Sequence, residues 1–102
     1  RQPRTGPESA GLPTASAHLR VVSTACRSAA TNAHETTASR LLAAAAELDE
    51  IERAAANGDL GARSVDRRAN DVESRLRSAL KSHAGTDGFN ALSLPPFSPY
   101  DA

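Results

Sequence analysis

Ala54-Ala55-Ala56-Asn57-Gly58-Asp59-Leu60-Gly61-Ala62-Arg63-Ser64-Val65 is the stretch that decides the fold. Three alanines close one helical pattern; Asn57, Gly58, Asp59 and Gly61 are residue types that accept turn and left-handed backbone; a second helical pattern starts directly after. Ser64 is the expected N-cap of that second helix, and Asp66 in its first turn complements the positive end of the helix dipole.

Upstream of the turn, apolar or small residues recur at Leu19, Val22, Cys26, Ala30, Ala33, Thr37, Leu41, Ala44, Leu48, Ile51 and Ala55. Steps of three and four average the 3.6-residue period of an α-helix, so one long helix is expected from about Ser16 to Ala56. Its first half is lined by small residues. Thr31, Thr36 and Thr37 are poor helix formers, which makes a break near residues 34–39 the alternative. Downstream, Val65, Ala69, Val72, Leu76, Ala79 or Leu80, and His83 fall on one stripe, with Lys81 and His83 in the last turn and Gly85 as the stop. The expected fold is therefore all-α: an antiparallel helical hairpin (long helix, turn, second helix) over residues 16–85, with Ile51 near Ala69, Leu48 near Val72 and Leu41 near Leu80. Opposite charge agrees with that pairing. Residues 40–56 carry Glu47, Asp49, Glu50 and Glu52 against Arg40 and Arg53, whereas residues 64–83 carry five basic and three acidic groups.

Extended arms are expected at both ends. Pro3, Gly6, Pro7, Gly11 and Pro13 mark residues 1–15 as an N-terminal arm, and residues 86–102 form a proline-punctuated tail. All three aromatic residues, Phe89, Phe97 and Tyr100, lie in the last fourteen positions. Aromatics normally anchor a core, so this tail is expected to dock, on the chain's own first helix or on another protein. Leu94-Pro95-Pro96-Phe97-Ser98-Pro99-Tyr100 favours extended backbone, and Pro96 and Pro99 have the P-x-x-P spacing, without a nearby basic residue to orient it on a recognition groove.

Composition says why cover is needed. Of the 102 residues 39% are hydrophobic, but 21 are alanine, and Leu, Ile, Val and Phe together number only 17. Two helices with so few bulky groups bury too little surface to offset chain entropy, so a third layer is required. Balanced charge, 12 basic against 12 acidic residues, argues against a general nucleic-acid binder. No run of about 18 apolar residues is present to span a bilayer, which leaves only peripheral association open. The acid-poor start, with Arg1, Arg4, Arg20 and Arg27 against Glu8 over residues 1–34, has the composition of a mitochondrial or plastid transit segment and equally of a weakly basic helix. A first residue other than Met points to a processed chain or an excised piece.

Catalytic patterns are not found. His34-Glu35-Thr36-Thr37-Ala38 starts like a zinc-binding H-E-x-x-H but has Ala38 in place of the second ligand. Cys26 and His34 stand more than two helical turns apart, too far for a thiolate and its base. Neither a cofactor nor a metal is expected. Over residues 16–83 the outline is similar to the small helix-turn-helix partners of bacterial type VII secretion. The turn here reads Asn57-Gly58-Asp59 without the tryptophan of that family, and Tyr100 stands too near the end for its secretion signal.

The expected function is that of a non-enzymatic structural or accessory subunit of a larger multi-protein assembly. Its partners would be other protein subunits, bound through Leu19, Val22 and Cys26 on the small-residue helix face and through Phe89, Leu92, Leu94, Phe97 and Tyr100 of the tail. The alternatives are a secreted or surface helical hairpin that forms a homodimer, and an adaptor presenting its proline-rich peptide.

Overall fold

Thr31 and Asn32 decide where the long helical pattern ends. In the computed structural model, which describes residues 7–84 and 92–100, the N–H groups of Thr31, Asn32 and Ala33 donate three residues back, to the carbonyls of Ser28, Ala29 and Ala30 (3.2–3.3 Å). The Thr31 hydroxyl also donates to the Ser28 carbonyl. This tightened last turn ends helix α1 (Pro7–Ala30). His34 then adopts extended backbone (φ −60°, ψ 155°) and its carbonyl accepts the Ala38 N–H at 2.7 Å, opening helix α2 (Glu35–Ala56). A third helix, α3 (Ala62–Ala84), follows the turn. The described residues are thus all-helical, with three helices instead of two and no strand.

Two boundaries differ from the sequence expectation besides the break at residues 31–34. Helix α1 begins at Pro7, inside the stretch expected to be an extended arm. Proline is well suited to a first helical position, where its missing N–H has no intrahelical acceptor. Helix α3 begins at Ala62, two residues before the expected cap: the Gly61 carbonyl already accepts the Val65 N–H at 3.0 Å. Ser64 is therefore inside the helix, and its first turn holds no acidic residue.

The turn at residues 57–61 closes α2 as its sequence suggests. Asn57 caps the helix in the right-handed region, Gly58 takes φ +83°, and the N–H groups of Gly58 and Asp59 donate to the carbonyls of Ala55 (3.1 Å) and Ala54 (2.8 Å). These two bonds form a Schellman closure, which satisfies two of the last carbonyls of the helix and needs a left-handed residue at the glycine.

Each helix contributes one stripe to a single core: Leu19, Val22, Cys26 and Ala30 from α1; Leu41, Ala44, Ala45, Leu48, Ile51 and Ala55 from α2; Val65, Ala69, Val72, Leu76 and Leu80 from α3. The break lets α1 fold back along α2, and these two share the largest interface. Their polar edge records the direction of packing. Ser16 and Arg20 both reach Glu52, while Ser23 and Arg27 both reach Asp49, so the chain runs in opposite senses in α1 and α2. On the other side of α2, Arg75 of α3 pairs with Glu47 at 2.7 Å. Helices α1 and α3 share the smallest interface of the three pairs, which leaves a groove between them.

Candidate functional site

The groove between α1 and α3 is where the tail lies. An extended segment can be buried only if its backbone polar groups find partners, and prolines ease that demand because they bring no N–H. Pro95, Pro96 and Pro99 remove three donors from residues 94–100. The groups between them are met from both walls. His18 of α1 places its Nε2 2.7 Å from the Pro96 carbonyl oxygen. On α3, Glu73 accepts the Phe97 N–H through Oε1 at 3.0 Å, while its other oxygen accepts from Arg77 at 2.9 Å. Two turns earlier, Asp66 accepts the Ser98 hydroxyl at 2.5 Å and a side-chain N–H of Asn70 at 3.3 Å. The Ser98 oxygen in turn accepts the Tyr100 N–H at 3.2 Å.

Between these polar fixings the Phe97 ring enters the core and has no exposed surface. Leu92 and Leu94 pack against the same cluster half-buried. The segment enters through Ser93, which holds φ +53°, a left-handed conformation unusual for a residue with a side chain. The components of this contact are one aromatic ring, one backbone carbonyl, one backbone N–H and one hydroxyl, each matched by a fixed partner on a helix.

The residues singled out in the sequence converge here in part. Leu19, Val22 and Cys26 are fully buried in the interface of α1 with the rest of the core, Phe97 is buried with them, and Tyr100 sits at the edge with about a third of its surface exposed (36%). Phe89 lies outside the described residues. Burial also pushes the Cys26 thiol up to about 11, against a weaker opposing pull from Arg27, so it is a packed neutral group.

The polar residues of both seams escape a reading based on apolar periodicity. One signal was available in the sequence: Ser16-x-x-x-Arg20 recurs seven residues later as Ser23-x-x-x-Arg27. Seven residues are two helical turns, so both pairs face the same neighbour. Ser23 donates to Asp49 at 2.6 Å and accepts from Arg27 at 2.6 Å. The hydrogen bond from Arg27, helped by Ser23 and opposed by desolvation, holds the Asp49 carboxyl below its ordinary range.

No family model, curated protein or solved structure matches this chain. The geometry therefore carries the functional argument alone. An open depression of about 600 Å³ lies between α2 and α3, where Ile51, Leu60 and Val72 are flanked by Glu47, Arg68 and Arg75. Its charges are mixed and compensate each other. No group of three His, Cys, Asp or Glu side chains that could hold a metal ion occurs among the described residues. No helix among them is long and apolar enough to cross a membrane.

Proposed function

We propose that this chain is a non-enzymatic structural or accessory subunit of a larger multi-protein assembly, with other protein subunits as its partners. In this reading α2, the turn and α3 act as an antiparallel hairpin, and α1 and the tail are the elements through which the subunit is completed and joined to its neighbours. One observation carries the proposal: the core of the helices includes Phe97, brought in by an extended segment from outside them. Among the described residues, seven of the eighteen buried apolar side chains are alanine, so the burial each helix contributes is small. A body of that kind gains most from added surface. Val21 (58% exposed) and Leu42 (48%) add apolar side chains on the outside of α1 and α2, where partner surfaces would cover them.

The test is purification of the native chain under mild salt, with the mass of the eluting species measured by light scattering. Stoichiometric recovery with the same one or two proteins is expected. Elution as a lone monomer at native abundance would overturn the proposal.

A further inference from the structure

We propose that residues 31–34 are a hinge that straightens in concentrated solution, so that two copies of this chain exchange helix α1 and form a domain-swapped dimer. The two connections of the fold are built differently. The turn at residues 57–61 is fixed locally, by Gly58 at φ +83° and by the two backbone bonds that close α2. The bend before α2 has no such device. Thr31-Asn32-Ala33-His34 contains neither glycine nor proline, none of the four takes a left-handed angle, and His34 caps α2 without a side-chain hydrogen bond. Its one local brace is the Thr31 hydroxyl on the Ser28 carbonyl, a bond that a threonine inside a helix also makes. Cys26, Ala30, Ala33, Thr37 and Leu41 meanwhile carry the 3.6-residue stripe straight across the bend. A single molecule bends there to cover its own α1 stripe.

Two observations make a second copy the cover for α1 once the bend opens. The hydrogen bonds that Ser16, Arg20 and Ser23 send across the seam centre on residues 34–36, which is the bend itself. Two straight helices over residues 7–56, laid antiparallel about that point, therefore bring the same residues together, α1 of each copy on α2 of the other. At the crossing they present Ala33 and Thr37, small enough for close approach. The second observation is what straightening gains. In the bent chain the exposed residues 34–36 open α2 with N–H groups that no helical carbonyl accepts. A continuous helix gives His34, Glu35, Thr36 and Thr37 the carbonyls of residues 30–33. The other contacts are remade with α1 from the second copy, so the exchange costs the freedom of one molecule and grows with concentration. It stands apart from the assembly role, since a chain that purifies with other proteins or alone carries the same hinge.

Hinge variants of the full-length chain test it by analytical ultracentrifugation up to about 500 µM. Asn32→Ala with His34→Ala favours the straight form, because both replaced residues are weaker helix formers than alanine. His34→Pro opposes it: proline suits the His34 angle of φ −60° in the bent chain but breaks a helix that passes through it. Both positions are exposed, so the core is untouched. The alanine variant is expected to dimerise at least tenfold more tightly than the parent, and the proline variant at least tenfold more weakly. A cross-link separates exchange from surface contact. Arg20 and Glu52 meet across the seam at 3.4 Å, so Arg20→Cys and Glu52→Cys in a Cys26→Ala background, joined by a short bismaleimide, should give a product between chains in the dimer and within one chain in the monomer. Equal association of the alanine and proline variants, or dimers linked only within each chain, overturns the proposal. Should the alanine variant lose helicity by circular dichroism, the cross-link is read with the natural hinge at about 1 mM, where product between chains is again expected and its absence overturns the proposal.

Discussion

Cys26 shows what complete burial does to an ionisable group at the scale of one residue. Its thiol is raised from 9.0 to about 11, so the neutral form is bound to the fold while the unfolded chain ionises earlier. The stability this contributes is present below pH 9 and is lost as pH rises towards 11. Urea titrations between pH 8 and 11 should show a falling midpoint, and Cys26→Ala should flatten that fall. Asp49 works in the opposite sense. With its folded pKa depressed below 3.8 by the Arg27 hydrogen bond, it contributes stability above the ordinary carboxylate range and loses it as pH falls through the lowered value. Asp49→Asn should therefore lower the midpoint at neutral pH and weaken its decline in acid. An unchanged acid profile would show that the Arg27–Asp49 pair, whose side chains are 48% and 34% exposed, is screened to insignificance.

Element boundaries depend on a few backbone positions. Gly58 has φ +83°, and nothing lies within 4 Å of where a Cβ would be, so Gly58→Ala meets no clash and isolates the conformational term. A loss of about 1 kcal/mol is expected in equilibrium denaturation, with helix content unchanged. At the other boundary the helical pattern gave no unique answer. Residues 16–56 keep their 3.6-residue period across Thr31 to His34, so periodicity alone allows one continuous helix. The break follows from competition: Thr31 bonds the Ser28 carbonyl with its side chain, and the α1 stripe gains cover only if α1 turns back on α2. The same reasoning explains the start of α3. Gly61 accepts the Val65 N–H, and Asp66, expected near a helix end, is left to hold Ser98.

For the whole molecule, Phe97 is the element of cover on which the groove between α1 and α3 depends. Phe97→Ala removes a ring with no exposed surface and is expected to lower stability by about 3–5 kcal/mol, measured by chemical denaturation. In a chain with so few bulky buried groups, that loss is a large share of the 5–15 kcal/mol typical of a domain, so a broad or missing transition is the expected form of the result. A variant that melts as sharply as the parent would show that α1 and α3 can close on one another without the tail.

The α-helical class, the turn at residues 57–61, the apolar periodicity on either side of it and the need of Phe97 for cover were all written in the sequence by itself. Each depends on neighbours within a few positions, or on a count of bulky side chains. Tertiary structure alone decided that α1 ends at Ala30, that α2 covers it, and that the tail settles between α1 and α3 on His18, Asp66 and Glu73. Local preference is nearly equal for the alternatives there, and the balance is set by apolar burial and polar pairing between residues twenty to eighty positions apart.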